Sequence, residues 1–257
     1  MKKILVTLFI FNLNTSFSKS IFDDKKNEIK LLKTIHVVTD TSLIEFISKK
    51  KYGLNKGANF ELGRQLFNVI KKSFINKIDA NFVHSLNTVG LKSGNNVYYA
   101  DSQNLGDKLF PPLLDSTVGL NDKELFLSEL NLIADNLYDG SNPSFGMHKK
   151  YQKKILSKDM SRVKNIGLED NEAVFILLTT GTKVPTKTTV KGAVVSTVLT
   201  LGLLTVAKVS VTNMNAVLIS NNGDLLWAGK ILRKAPINKE WKQTAIFKKT
   251  LKGFPNK

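Results

Sequence analysis

The sequence predicts an α+β fold in which a mixed sheet is packed by helices and the chain closes with a strand hairpin and a final helix. Three observations carry that expectation. Residues 173–180 (AVFILLTT) form an unbroken apolar and β-branched run, the texture of a strand buried on both faces. Residues 209–220 and 225–230 are strand-like and flank Asn221-Asn222-Gly223-Asp224, a tight turn in which Asn and Gly tolerate positive φ. Residues 59–74 and 121–137 repeat apolar side chains at three- and four-residue spacing, the period of a helix with one buried face.

The elements follow in order. Residues 34–39 (TIHVVT) alternate as a strand, with His36 a strand residue rather than a ligand. The helix over 59–74 presents Phe60, Leu62, Leu66, Phe67, Val69 and Ile70, carries Glu61 early and Lys71-Lys72 late as the helix dipole favours, and takes Asn59 as its cap. Residues 82–89 and 96–100 read as short strands joined through Ser93-Gly94-Asn95-Asn96, and Pro111-Pro112 ends what precedes it. Asn121 with Glu124 three residues on reads as a capping box for the helix over 121–137, whose buried face holds Leu125, Leu127, Leu130, Leu132, Ile133 and Leu137. Residues 147–165 are basic with a weaker helical pattern. A last helix over 239–252 presents Trp241, Ala245, Phe247 (or Ile246) and Leu251.

The first eighteen residues read as a cleaved export signal, with a retained anchor as the alternative. Lys2 and Lys3 precede an apolar run over 4–13, and Ser16 and Ser18 frame a cleavable bond before Lys19. That run is too short to cross ~30 Å of hydrocarbon. The expected mature chain is a flexible lead-in over 19–33 and one α/β domain over 34–257, with a sub-boundary available near 140–150. Cysteine is absent, so an exported fold of this chain rests on packing rather than disulfides, and attachment through a lipid-modified cysteine is excluded.

The net charge of +17 favours anionic partners: lipid headgroups, polysaccharide or nucleic acid. Lysine supplies nearly all of it, and the arginines are only Arg64, Arg162 and Arg233. Base and phosphate readers lean on arginine forks, so nucleic acid is not the expected partner. Residues 192–207 (GAVVSTVLTLGLLTVA) carry no charge between Lys191 and Lys208. As a helix they would reach ~24 Å. Three readings stand for them: a buried helix or hairpin, a surface segment that docks on a partner or bilayer, and a membrane-spanning helix. Gly192, Val194, Val195, Val198, Leu199, Leu201, Leu203, Leu204 and Val206 are the candidate contact residues.

Chemistry has little support. His36, His84 and His148 lack HExxH or HxH spacing, Gly181-Thr182-Lys183 lacks the leading glycine of a P-loop, and there is no GxSxG or GxGxxG. Asp23-Asp24 and Glu169-Asp170 read as solvated carboxylates, and Asp101 and Asp107 flank a polar loop. No catalytic, cofactor-binding or metal-binding residue is assigned.

The run 216–227 (AVLISNNGDLLW), preceded by an apolar strand and followed by a helix and Phe254-Pro255, resembles a pattern in Gram-negative envelope proteins. The family is one of uncharacterised periplasmic proteins and lipoproteins, distantly similar to TolB amino-terminal and CsgG-type α/β domains. The likeness covers 170–257; Asn stands where Asp and Thr are usual at the turn, and the lipoprotein cysteine is missing. It implies an α/β sandwich whose sheet edges and apolar insert meet other envelope proteins, with Trp227 packing the hairpin onto the helix that carries Trp241. The expected protein is therefore a non-enzymatic periplasmic or secreted one, acting by contact with envelope proteins or an anionic lipid or polysaccharide surface. The alternatives are a secreted hydrolase using Asp101 and Asp107, and a membrane-inserting effector driven by 192–207.

Overall fold

The structure is a computed structural model that describes residues 21–48, 51–91, 112–118, 123–138, 148–183, 199–200, 203–204, 210–237 and 239–255. In chain order the elements are α1 (Lys26–Lys30), β1 (Thr34–Ser48), β2 (Lys51–Leu54), α2 (Lys56–Phe74), β3 (Asn81–Val89), β4 (Leu113–Leu114), α3 (Lys123–Tyr138), α4 (His148–Leu156), β5 (Glu172–Lys183), β6 (Leu199–Thr200), β7 (Leu203–Leu204), β8 (Val211–Ser220), β9 (Leu225–Arg233) and α5 (Glu240–Thr250). The main sheet is open and mixed, in the order β4-β3-β1-β5-β8-β9, with β2 folded back on the end of β1. β3, β1 and β5 run parallel, whereas β4, β8 and β9 pair antiparallel. The expected α+β class, terminal hairpin and closing helix are all present.

β5 lies between β1 and β8, and its residues from Ala173 to Leu178 are buried, as a run apolar on both faces requires. The two faces are packed by different helices. On one, Phe175 meets Phe74 of α2 edge-on, Phe247 of α5 edge-on and Trp227 of β9 in a stack, and Phe254 closes onto Trp227 and Phe74. On the other, α4 lies against β9: Gln152 donates its Nε2–H to the Ala228 carbonyl at 2.7 Å, and the Lys230 ammonium sits over the Tyr151 ring. Trp227 is fully buried in its aromatic cluster, and enclosing an indole of that size contributes several kcal/mol.

Several details depart from the sequence expectations. The helix cap is Asn55, whose side chain accepts from the Ala58 N–H at 3.0 Å. Asn59 lies one turn inside, buried, clamping the Leu43 N–H and carbonyl of β1. β1 runs well past Thr39, because its polar continuation pairs with β5 as far as Glu45–Lys183. The segment expected as a flexible lead-in contributes, from Ile21 onward, a 3-10 turn and α1, with Phe22, Ile29 and Leu32 in the main apolar cluster. Leu132 of α3 is 42% exposed, and on α5 Trp241 is 65% exposed while Ala245 also faces outward. Phe247, Ile246 and Leu251 are buried as the pattern predicts, joined by Gln243 and Thr250; the correction falls on Trp241 and Ala245.

The β8–β9 turn forms where Asn-Gly predicts it, but only Gly223 has positive φ (+77°). The Gly223 N–H bonds the Ser220 carbonyl at 3.0 Å, and a bulge follows at Leu226. A side chain there would also strike the backbone of Met160 and Ser161, on which the turn rests.

Candidate functional site

In an open sheet with parallel strands, ligands favour the crevice at the carboxyl ends of the strands, where successive connections leave toward opposite faces. Here that place is the junction of β1 and β5. The sequence puts two polar runs there, Thr39-Asp40-Thr41-Ser42 and Thr179-Thr180-Gly181. The structure shows how they are occupied.

On the α2 face the network is continuous. Asn87 accepts from the Thr39 hydroxyl at 3.0 Å and donates to the Phe60 carbonyl and to Asp115 Oδ2, both at 2.8 Å. Arg64 of α2 closes on the same Asp115 oxygen and reaches Thr117 Oγ1 at 3.0 Å, while Glu61 holds its Nε at 3.2 Å. Burial works against the Asp115 charge, yet hydrogen bonds from Thr117 and Asn87 and the Arg64 charge hold its carboxyl below the usual range. His84 stacks on Phe67 at 4.5 Å, nearly parallel, and burial lowers its pKa to about 4, with Arg64 reinforcing and Asp115 opposing. Because the Thr39 hydroxyl donates to Asn87, its oxygen must accept the 2.9 Å bond from His84. That fixes the neutral tautomer as Nε2–H.

On the opposite face Asp40 is buried beneath the end of β3. It accepts from the Thr88 hydroxyl at 3.0 Å and the Leu91 N–H at 2.9 Å, and Ser42, 3.4 Å away, accepts in turn from the Gly90 N–H. Burial raises its pKa to about 6 despite these bonds. Thr41 donates to the Asn59 carbonyl, and Lys183 pairs with Glu45 at 2.6 Å where β1 and β5 end their pairing. The crevice is thus filled by side chains that bond one another and fasten α2, β4 and the end of β3 to the sheet. The exceptions are on β5 and β8: Thr179 Oγ1, Asn213 Oδ1 and both amide atoms of Asn215 are buried with no hydrogen-bond partner.

His36 behaves as the strand residue expected of it, with Nδ1 2.9 Å from Ser85 Oγ and Nε2 3.2 Å from Glu172. Asp170 accepts from Asn221, and Asp23-Asp24 sit in the first 3-10 turn. Among the described residues no three His, Asp or Glu side chains converge as metal ligands would. Ser18, Lys19, Asp101, Asp107, Gly192, Val194, Val195, Val198, Leu201 and Val206 lie outside the described residues. Of the apolar segment, Leu199–Thr200 pairs antiparallel with Leu203–Leu204, the geometry of a hairpin and not of a helix. No helix among the described residues is long and apolar enough to cross a membrane.

The exterior tells a different story from the crevice. Some carboxylates are taken up in ion pairs: Glu28 with Lys25, Glu61 and Asp115 with Arg64, Glu129 with Arg162, Glu240 with Lys72, and Glu45 with Lys183. Lysines remain in excess on outward faces: Lys71 and Lys72 on α2, Lys153 and Lys154 on α4, Lys164 after it, and Lys248 and Lys249 on α5. The two indoles divide between these settings. Trp227 is enclosed, and Trp241 stands out among the lysines with the Lys242 ammonium 5.4 Å from its ring centre. Sequence reasoning missed the Asp40 and Asn87–Asp115–Arg64 clusters. Their signal was polar runs placed directly after apolar strand residues.

No protein-family model, curated protein or solved structure matches this chain.

Proposed function

We propose that the chain is an exported, non-catalytic protein of a bacterial envelope that works by contact with envelope proteins or an anionic surface. The carrying observation is the surplus of lysine on the outward helix faces, where exposed carboxylates are present but outnumbered. The net charge of +17 on the full chain, of which processing removes only Lys2 and Lys3, is borne by dispersed lysines and draws the molecule to anionic surfaces without reading a sequence or a single phosphate. The signal-like N-terminus gives the route. The hairpin-then-helix ending supports the further proposal that the fold is distantly akin to TolB amino-terminal and CsgG-type domains.

Expression in a Gram-negative host with fractionation and mass determination tests the proposal. The expected product begins at Lys19, fractionates with the envelope at low salt and is released by high salt, since exposed charge contacts are screened within about a Debye length. An unprocessed chain in the cytosol, or envelope attachment indifferent to salt, contradicts it.

A further inference from the structure

Resting on that reading, we propose that the outer face formed by α2 and α5 is the contact surface, and that its partner is an anionic phospholipid bilayer. Large apolar side chains on a soluble surface are unremarkable singly, but this face combines two of them with a positive rim. Trp241 is 65% exposed and Ile75, at the end of α2, is 68% exposed. They belong to one patch: Ile75 follows Lys72 by three residues, and Lys72 bonds Glu240, the neighbour of Trp241, at 2.8 Å. Gln243 of α5 also bonds Gln65 of α2 at 2.8 Å, which ties the two helices side by side.

Helical spacing sets the rest. Trp241, Ala245 and Lys248 fall at successive positions four and three apart, so they share the outward stripe of α5, flanked by Lys249 and Lys242. On α2, Lys71 and Lys72 precede Ile75 by one turn. The face therefore holds Lys71, Lys72, Lys242, Lys248 and Lys249 against two carboxylates, Glu240, already paired with Lys72, and Glu61, already paired with Arg64. Indole is the ring that prefers the headgroup level of a bilayer, and lysine reaches from an apolar stem to lipid phosphate. Each lysine near an anionic leaflet is worth roughly five-fold in binding. A protein partner would need apolar contact over a wider area than two side chains supply. A cationic rim around an indole instead fits a fluid anionic surface.

The two tryptophans make the proposal directly measurable. In a Trp227→Phe chain all indole emission comes from Trp241; in the parent chain Trp227 is sealed in the core and supplies a fixed reference. The probes are vesicles of mixed phosphatidylglycerol and phosphatidylcholine, with pure phosphatidylcholine vesicles beside them. The expected result is a blue shift of Trp241 emission and loss of quenching by aqueous iodide on the mixed vesicles only, reversed by salt. Replacing Lys71, Lys248 and Lys249 by Ala should weaken co-sedimentation roughly a hundred-fold. Emission unchanged while the chain pellets, equal response to uncharged vesicles, or a blue shift that needs only higher protein concentration each overturn it; the last would identify a second copy as the occupant. If vesicles fail but the chain still sediments salt-dependently with isolated envelopes, the lipid assignment falls and the contact reading survives. If both fail, both fall.

Discussion

At Gly63 α2 lies directly on side chains of β1 and β3, and Gly63→Ala turns that approach into a measurable energy. A methyl on Gly63 would fall on Asn87 Oδ1 and stand 2.8 Å from its Cγ and 3.1 Å from Thr39 Oγ1. Three terms compete. Alanine is the better helix former by ~1 kcal/mol. Against that, forcing a methyl into a filled contact costs about 1–3 kcal/mol. Moving Asn87 also strains its bonds to Thr39, the Phe60 carbonyl and Asp115, and a buried polar group losing its partner costs about 1–3 kcal/mol. The clash and the broken network outweigh propensity, for a net loss of about 3 kcal/mol. At ~2–4 °C per kcal/mol for a chain of this size, thermal unfolding should fall by about 6–12 °C.

The double-mutant cycle with Asn87→Ala decides the cause. Asn87→Ala alone breaks the network, but it also empties the space the new methyl needs. The double variant should therefore be little worse than Asn87→Ala, with a coupling of at least ~1.5 kcal/mol from chemical denaturation. If the two single losses simply add, the close approach of helix and sheet is not what constrains Gly63, and the reasoning is refuted.

Other expectations follow from the same geometry. Asp40 is raised to about 6 in the fold from an ordinary 3.8, so the folded state holds the extra proton, and its contribution to stability is lost as pH rises from about 4 to 6. His84 is lowered from 6.5 to about 4, so the unfolded chain takes the proton first and its contribution is lost as pH falls over much the same range. The two oppose each other, and melting between pH 4 and 6 should separate them: Asp40→Asn destabilises on acidification relative to the parent, and His84→Gln does the reverse. Identical pH profiles for the two variants would show that these groups do not titrate as their surroundings dictate. Trp227→Ala should cost about 3–5 kcal/mol, whereas Trp241→Ala should change stability by less than about 0.5 kcal/mol in denaturant titrations. Equal losses would contradict their placement. Asn215→Leu removes a buried amide with no partner and should raise stability by on the order of 1 kcal/mol. A loss of that size would mean a bound polar group is reaching the amide.

Much of the architecture was legible from residue order, and the failures share a cause. The apolar run from Ala173 and the Asn222-Gly223 turn announced β5 and the β8–β9 hairpin because their local chemistry and tertiary setting agree. The expected β1 stops at Thr39 because Asp40, Thr41 and Ser42 look like a loop in sequence and become strand only through partners elsewhere in the chain: Thr88, Leu91, Asn59 and β5. The cap was set at Asn59 instead of Asn55 for the same reason, since what Asn59 clamps is β1. On α5 the hydrophobicity of Trp241 pulled the expected buried face toward it. The first turn of α5 instead turns Gln243 inward, where its side chain bonds Gln65 and the Ile237 carbonyl, while Phe247 and Leu251 are buried as expected. The candidate contact face was invisible for that reason: an indole counted as core cannot also be counted as surface.

One comparison on isolated envelopes tests the central idea most directly. Two triple charge reversals carry the same net charge: Lys71, Lys248 and Lys249→Glu on the α2/α5 face, and Lys153, Lys154 and Lys164→Glu on and after α4. Their association with envelopes, followed against salt, should be nearly abolished for the first and close to the parent for the second. Equal loss in both, or retention in both, would contradict a protein that meets its anionic surface through the face bearing Trp241.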